Sequence, residues 1–275
     1  MKTIVLTGAS DGIGAAAAAQ LAAAGHRVLM VGRTPAKLAA AAATAGVTEF
    51  FAADYATLDD VRRLAGDLRA AAPHIDVLAN NAGGVFPGPE ITSDGFERTF
   101  QVNYLAGFLL THELMDILLE SHGAVVNTSS VAARSGHLDL ADIDARQHYT
   151  SMRAYGNGKL ADVLHVRGLH ARYHARGLGT VAFHPGVIAS NFAAELRGPM
   201  AWLYHSPLRH LLTSSARGGA TLAHFAGGTP DQTWTSGEYY HSDHHRGRTQ
   251  AQAYDDAFLA QFWDKTNELL GLTDV

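Results

Sequence analysis

Short apolar runs alternate with helical patterns along the first part of the chain. The runs are TIVLT (3–7), RVLMV (27–31), EFFAA (49–53) and IDVLAN (75–80), and helices are predicted between them over 13–24, 35–44 and 58–71. Strands that are apolar throughout and separated by helices are typical of a parallel sheet covered on both faces. The pattern therefore predicts an α/β fold with a doubly wound sheet.

The second half of the chain continues this alternation. It contains a long helix over 97–119, the strand AVVNTS (124–129), a helix over about 150–175 and the strand TVAFH (180–184). No linker, internal repeat or shift in composition divides the chain. We therefore expect a single domain over residues 1–275, built on a parallel sheet of about seven strands with helices on both faces.

The pattern loosens between residues 187 and 212. Large apolar side chains stand there beside helix breakers: Phe192, Trp202, Leu203 and Tyr204 beside Gly198, Pro199 and Pro207. A loose segment after a sheet strand lies at the carboxyl ends of the strands, where doubly wound folds bind ligands. Segment 187–212 is therefore predicted to be a substrate lid. The same aromatic side chains would also suit a rigid contact between copies of the chain, so a homo-oligomer stays an open alternative.

Composition narrows the classes of partner. The formal net charge is -5, from 21 basic and 26 acidic residues, and cysteine is absent. A chain without a basic patch does not suit nucleic acid, and one without cysteine has no disulfide or thiolate chemistry. No apolar run reaches the roughly 18 residues that span a bilayer, and the first residues lack the apolar core and cleavage site of a signal peptide. These features favour a cytoplasmic protein that binds a small molecule and no membrane.

The segment TGASDGIG (7–14) leaves the first predicted strand and opens the first helix. Its glycines let the backbone pass close to a pyrophosphate, and the free N–H groups at the helix N-terminus favour the phosphate charge. An ordinary glycine-rich turn would show the same glycines, but the position between strand and helix favours a phosphate-binding turn. We expect a Rossmann-type dinucleotide site here, with contacts from Gly8, Ser10, Asp11, Gly12, Ile13 and Gly14.

The residue that follows the second strand indicates which dinucleotide is bound. An acid that would hold a ribose 2′-hydroxyl is missing there, and Arg33 stands where a 2′-phosphate would lie. A guanidinium pairs with phosphate, so NADP(H) is predicted over NAD(H), although a solvent-exposed loop arginine would give the same pattern. Asp54, after the third strand, is placed either to accept from the adenine amino group or to cap the next turn.

Further motifs resemble those of the short-chain dehydrogenase/reductase family, in the family's order and along nearly the whole chain. They are TGASDGIG, NNAG (80–83), VNTSS (126–130), YGNGK (155–159) and HPG (184–186). The stretches FQVNYLAGFLL (100–110), AYGNGKLADVL (154–164) and GEYYHSD (237–243) are similar to the branch of retinol dehydrogenases and WW-domain oxidoreductases. The resemblance implies hydride transfer between a nicotinamide dinucleotide and a carbonyl or alcohol substrate.

Tyr155 and Lys159 have the chemistry that this transfer needs. Hydride transfer to a carbonyl leaves an alkoxide, which requires an acid whose pKa is far below that of an alcohol. A nearby ammonium and the positive nicotinamide ring bring a tyrosine phenol toward that range. The two residues are four apart on a predicted helix and share one face. About 0.13 such Tyr-x-x-x-Lys pairs are expected by chance in this composition.

The resemblance assigns the remaining roles. Ser130 would donate to the substrate oxygen, in preference to Ser129, which points the other way in an alternating strand. Asn103 resembles the asparagine that bends a helix and anchors a relay water, a role compatible with simply satisfying helix backbone. The other cofactor contacts are implied at Asn81, Ala82, Gly83, Tyr155, Lys159, Pro185, Gly186, Val187 and Ser190.

Sixteen histidines raise the alternative of a metal site. The candidates are His241, His244 and His245 beside Asp243, or His170 and His174 at helical spacing. No catalytic-zinc motif is present, so solvated surface histidines and no metal are expected.

The predicted function is reversible NADP(H)-dependent carbonyl reduction by Asn103, Ser130, Tyr155 and Lys159. An NAD-linked alcohol dehydrogenase of the same fold is one alternative. A dinucleotide-binding regulator without redox chemistry is the other, and the presence of all four catalytic residue types argues against it.

Overall fold

A computed structural model describes residues 1–188 and 213–273. The strands are β1 (Thr3–Leu6), β2 (Arg27–Gly32), β3 (Glu49–Ala52), β4 (Val77–Asn80), β5 (Ala124–Thr128), β6 (Gly179–Phe183) and β7 (Glu238–Tyr240). They form one sheet in the order β3-β2-β1-β4-β5-β6-β7, in which every neighbouring pair is parallel. The predicted doubly wound sheet of seven strands is confirmed.

Helices form the connections. They are α1 (Gly12–Ala23), α2 (Pro35–Ala45), α3 (Leu58–Ala71), α4 (Arg98–Phe100), α5 (Ala106–Glu113), α6 (Met115–Glu120), α7 (Ser151–Tyr173), α8 (Ser215–Gly227) and α9 (Asp256–Leu270). Local sequence sets several of their ends. Pro35 fits the first turn of α2, and Gly46 ends that helix with a left-handed φ of 69°. Asp255 caps α9 by accepting from two backbone N–H groups.

The strands direct alternate side chains into two separate cores. Ile4 and Leu6 of β1 belong to the core that also contains Leu21 of α1 and Phe225 of α8. Val5 between them belongs to the core on the other face, together with residues of α3, α5, α7 and α9. Both faces are covered, which explains why the strands are apolar along their whole length.

Helix α9 completes the second core by covering aromatic side chains on the helices beneath it. The ring centroids of Phe262 and Tyr104 are 5.3 Å apart, and those of Trp263 and Phe108 are 4.9 Å apart. The hydroxyl groups of Tyr104 and Thr266 lie 3.0 Å apart in the same contact.

The order of the strands reverses between β1 and β4, because the chain first builds the sheet outward through β2 and β3 and then returns to the other side of β1. Loops that leave two such strands diverge and open a crevice at their carboxyl ends. The predicted phosphate turn follows β1 and NNAG follows β4, so both motifs lie at this crevice.

Several predicted elements differ from those in the structure. The helix expected over 97–119 is divided into α4, a π-helical segment at Gln101–Leu105, α5 and α6. The hydrophobic pattern does not predict α8, β7 or α9. From residue 189 onward, the predicted lid 187–212 lies outside the described residues.

None of the helices in residues 1–188 and 213–273 combines the length and the apolar character needed to traverse a bilayer.

Candidate active site

A cavity of about 740 Å³ opens at the carboxyl edge of the sheet. Nearly every predicted contact that the structure describes lines it. Asn103 lies just behind the wall, and Ser190 is outside the described residues. The predicted residues that line the cavity are Gly8, Ser10, Asp11, Gly12, Ile13, Gly14, Arg33, Asp54, Asn81, Ala82, Gly83, Ser130, Tyr155, Lys159, Pro185, Gly186 and Val187.

The turn after β1 is tight enough to require glycine at two positions. Gly8 has a φ of 65°, and a Cβ there would lie 2.8 Å from the Cα of Ala82. A Cβ on Gly14 would lie 2.1 Å from the Gly8 carbonyl oxygen. Thr7 ties this turn to the end of β4, because its hydroxyl oxygen accepts from the backbone N–H groups of Asn81 and Ala82 at 2.9 and 3.0 Å. The turn is therefore fixed by contacts on both sides of the crevice.

The N-terminus of α1 faces the cavity and has the features that a phosphate site needs. Asp11 caps the helix by accepting from the Gly12 N–H at 2.7 Å. A Cβ added to Gly12 would meet no atom within 4 Å, so the backbone at this residue is open to an incoming group. The residues present fit the pyrophosphate of a dinucleotide.

Two cationic side chains line the cavity beyond β2. Arg33 is one, as predicted. Lys37 in the first turn of α2 is the second, and no sequence motif indicates it. The helix dipole disfavours positive charge at a helix N-terminus, so a lysine there is unusual. This unusual position is the sequence feature that could have identified Lys37 as a candidate. The Oδ1 atom of Asp54 accepts from the Ala56 N–H at 3.0 Å, so the capping interpretation of Asp54 holds while the residue also lines the cavity.

The two serines that end β5 have different surroundings. Ser129 is buried and its hydroxyl donates to the Lys159 carbonyl oxygen at 2.7 Å. Ser130 is half-buried, and its hydroxyl oxygen accepts from the Ala132 N–H at 3.2 Å. A hydroxyl whose lone pair is engaged in this way still has its proton to donate. Ser130 is therefore the better placed of the two to donate into the cavity.

Tyr155 and Lys159 lie one turn apart on α7 and both reach the cavity. The Lys159 Nζ atom is 5.9 Å from the centroid of the Tyr155 ring. It donates to the Thr128 carbonyl oxygen at 2.8 Å and to the Asp162 carboxylate at 2.9 Å. Burial lowers the pKa of Lys159, but the charges of Asp162 and Tyr155 raise it, and the net direction is upward. The ammonium is therefore positively charged beside the phenol.

Asn103 lies in the π-helical segment and joins it to the loop after β4. Its side-chain amide donates to the carbonyl oxygens of Thr99 and Gly84, both at 2.8 Å, and its Oδ1 atom accepts from the Gly84 N–H at 3.1 Å. The Thr99 carbonyl, four residues earlier, would otherwise serve the helix backbone. Asn103 thus accounts for the break in the predicted helix.

His184 organises the turn after β6. Its Nδ1 atom accepts from the Gly186 N–H at 3.2 Å, so its Nε2 atom carries the proton and donates to His241 Nδ1 at 2.9 Å. Burial is the main cause that lowers the pKa of His184 to about 4. His165 on α7 is also buried. The expectation of solvated surface histidines is therefore wrong for both, because each fills a polar position inside the fold.

The end of the cavity that contains Tyr155 has an apolar rim. Val131, Met152 and Val187 line it while remaining exposed to solvent. Val85 and Phe86 line the wall beyond them. The described residues thus place the hydroxyl groups of Ser130 and Tyr155 and the Lys159 ammonium beside an apolar opening.

Comparisons with known proteins identify the family. The model of the family described as short chain dehydrogenase matches residues 2–200. The chain is 37% identical to a Streptomyces sp. (strain C5) protein named "Putative daunorubicin C-13 ketoreductase DnrU", over 99% of this chain and 93% of that one. It is 31% identical to mouse retinol dehydrogenase 14, over 98% of this chain and 86% of that protein.

Solved structures show the same architecture. A crystal structure of an uncharacterised protein from Mycobacterium paratuberculosis superposes with a TM-score of 0.79 at 29% identity, covering 99% of this chain and 94% of that one. A Shigella flexneri 2a str. 301 chain complexed with NADP gives a TM-score of 0.67 at 25% identity, covering 88% and 97%. The chain therefore belongs to the short-chain dehydrogenase/reductase family, in its retinol-dehydrogenase-like branch, and is an NAD(P)-dependent oxidoreductase.

Proposed function

We propose that the protein reduces the carbonyl group of an apolar substrate with NADPH. The observation that carries the proposal is that one cavity holds both Arg33 with Lys37 and, at its other end, Ser130 with Tyr155 and Lys159. The first pair suits a 2′-phosphate, and the second group suits a reacting carbonyl.

The N-terminus of α1 would hold the cofactor's phosphates, and Arg33 and Lys37 would supply positive charge for the 2′-phosphate. Lys159 has three N–H donors, of which two are used by Thr128 and Asp162. The third is available for the nicotinamide ribose. Gly186 and Val187, in the turn that His184 braces, border the nicotinamide end. NADPH supplies the hydride when it is bound.

The protein's own residues handle the charge and the proton. Ser130 donates a hydrogen bond to the substrate oxygen and so stabilises the negative charge that grows on it. Tyr155 gives its phenolic proton to the same oxygen, and the Lys159 ammonium stabilises the phenolate that remains. Asn103 holds the loop at Gly84 in place, and the preceding glycine lies beside Lys159, where an added Cβ would be 3.3 Å from Nζ.

The class of substrate follows from the rim and from one relative. Val131, Met152 and Val187 would lose exposed apolar surface to a substrate of matching character. The name of the Streptomyces relative describes a ketone reductase, which is the direction of reaction that we propose for this chain.

The test is a screen of carbonyl compounds by NADPH consumption, with small polar ketones beside polycyclic aromatic ketones and NADH beside NADPH. We expect turnover of the apolar ketones, with NADPH favoured. The Tyr155→Phe variant should bind NADPH as the wild type does and lose turnover by at least about 100-fold, because it has no proton to give.

Near wild-type turnover by a folded Tyr155→Phe protein would contradict the assigned proton donor. Failure of the wild-type protein to bind either dinucleotide would contradict the proposed function as a whole.

A further inference from the structure

A buried carboxylate lies directly behind the acid–base pair. Asp162 is 5% exposed, is three residues after Lys159 on α7, and accepts from Lys159 Nζ at 2.9 Å. It lies in the stretch AYGNGKLADVL (154–164), but the family resemblance assigns it no role, and it does not line the cavity. It can act on the reaction only through Lys159 and Tyr155.

We propose that Asp162 is a positioning residue whose carboxylate holds the Lys159 ammonium and opposes its charge, so that Tyr155 keeps its proton to a higher pH than Lys159 alone would allow. The inference rests on the proposed function of Tyr155 as a proton donor. Carbonyl reduction needs a protonated phenol, because the phenol gives its proton to the substrate oxygen. By keeping Tyr155 protonated at neutral pH, Asp162 would therefore favour the reaction in the direction of reduction.

The geometry leaves Lys159 little freedom. One N–H bonds to the Thr128 carbonyl oxygen of β5 and another to the carboxylate of α7, so the ammonium is fixed between strand and helix. The backbone of Asp162 is itself held, because the Asn127 side-chain amide donates to its carbonyl oxygen at 3.2 Å. Groups that lie outside the cavity thus fix the position of the Lys159 ammonium and oppose its charge.

The titratable groups around Asp162 are few among the described residues. Its own helix contributes Lys159 and His165, and the π-helical segment contributes Tyr104. Burial lowers the pKa of His165 to about 3 and raises that of Tyr104, so both are neutral near pH 7. The adjoining strands contribute the uncharged side chains of Asn80 and Asn127 and the backbone carbonyl group of Thr128. The charge that faces Asp162 at neutral pH is therefore that of Lys159.

Asp162 carries its negative charge at neutral pH. Burial raises its pKa to about 6, against the opposing effect of Lys159. The Lys159 Nζ atom lies 2.9 Å from the Asp162 carboxylate and 5.9 Å from the Tyr155 ring centroid, so that carboxylate and the ring centroid are at most about 9 Å apart. A unit charge at about that distance in a medium with an effective dielectric constant near 20 shifts a pKa by on the order of one unit. The effect on Tyr155 should therefore be large enough to measure.

The experiment replaces the charge and keeps the shape. In Asp162→Asn, the amide oxygen can still accept from Lys159 Nζ, so the variant removes charge with little change in position. We expect Tyr155 to titrate about one pH unit lower in this variant. Its titration is read in the protein without cofactor by NMR of carbon-13-labelled tyrosine, with the Tyr155 signal assigned by its loss in Tyr155→Phe. The falling limb of the pH profile of kcat/KM for ketone reduction should move by the same amount.

Two further variants serve as controls. Asp162→Glu keeps the charge and should titrate near the wild type. Asp144→Asn removes another buried carboxylate, one that pairs with Arg146 outside the cavity, and should leave the Tyr155 titration unchanged. If Asp162→Asn does not fold, as judged by circular dichroism, Asp162→Ser gives the same uncharged comparison.

An unchanged or raised Tyr155 titration in the folded uncharged variant would overturn the proposal. Because the NMR titration needs neither substrate nor cofactor, it decides the role of Asp162 even if the enzyme reduces no ketone. A failed ketone screen with a shifted titration would instead count against the proposed function alone.

Discussion

Arg33 and Lys37 place two exposed positive charges at the end of the cavity nearest β2. We expect Arg33→Ala to weaken NADPH binding by about 1.5–3 kcal/mol, toward the lower end because the side chain is exposed to solvent. NADH, which lacks the 2′-phosphate, should bind nearly as before. Fluorescence titration with both cofactors measures the difference.

Lys37→Ala is the matched variant and should weaken NADPH binding in the same sense by a smaller amount, because a lysine cannot pair with phosphate through two parallel bonds. Equal losses for NADPH and NADH in Arg33→Ala would contradict selection of the 2′-phosphate and favour a general effect on the fold of the loop.

Residues that gather at the cavity could be predicted because each motif directly follows a strand. The carboxyl ends of parallel strands share one edge, so motif order alone places Gly8, Asn81, Ser130 and Gly186 together. Asp162 could not be predicted in this way. A polar residue three positions after Lys159 would look like a solvated helix position, and only the packing of α7 against β5 shows that it is buried.

Close contact between α1 and α8 sets the position of the helix that carries the phosphate turn. A Cβ on Gly219 of α8 would lie 2.9 Å from the Ala17 backbone nitrogen and 2.6 Å from the Ala16 Cβ. Backbone atoms cannot move aside as a flexible side chain does. Gly219→Ala should therefore lower the free energy of unfolding by about 1–3 kcal/mol, measured by urea denaturation, and weaken cofactor binding by displacing α1.

Gly66→Ala on α3 is the control for this prediction. Gly66 is exposed, and a Cβ there would meet no atom within 4 Å. Alanine should stabilise that helix by about 0.5–1 kcal/mol, because it loses less conformational freedom on folding than glycine. If both substitutions stabilised the protein, the prediction that α8 packs too closely on α1 to admit a Cβ at Gly219 would be contradicted.

Hydrophobic periodicity predicts some elements well and others poorly for a physical reason. Helix α3 has a polar and an apolar face and is predicted with its observed bounds, Leu58–Ala71. Helix α7 is buried nearly all round, and it is nevertheless predicted over about 150–175, close to its observed bounds Ser151–Tyr173. Strand β7 has three residues at the sheet edge, too few for an alternating pattern to emerge. The break at Gln101–Leu105 does not show in the periodicity; the family resemblance implies a bend at Asn103, and the bond of its side chain to Gly84 supplies the physical reason.

At the scale of the whole molecule, His165 makes stability depend on pH. Burial lowers its pKa from the ordinary 6.5 to about 3. In the unfolded chain His165 binds a proton below about pH 6.5, whereas in the folded protein it binds one only below about pH 3. The free energy of unfolding should fall as the pH falls through this window, by up to about 1.4 kcal/mol per pH unit from this residue.

His165→Gln should remove that part of the slope, which urea denaturation at a series of pH values between about 4 and 6.5 measures. His184 acts in the same direction, so some slope should remain. Exposed His148→Gln is the control and should keep the wild-type slope. An unchanged slope in His165→Gln would show that the imidazole is not buried in its neutral form.

Helix α9 covers Tyr104 and Phe108 in the folded protein, but it is translated long after them. Tyr104 and its partner Thr266 are separated by 162 residues. At a synthesis rate of roughly 5–20 residues per second, about 8–30 s pass between translation of the one and of the other. During that interval the aromatic surface of the nascent chain lacks its native cover, and exposed apolar surface of this kind is prone to non-native association until α9 is made.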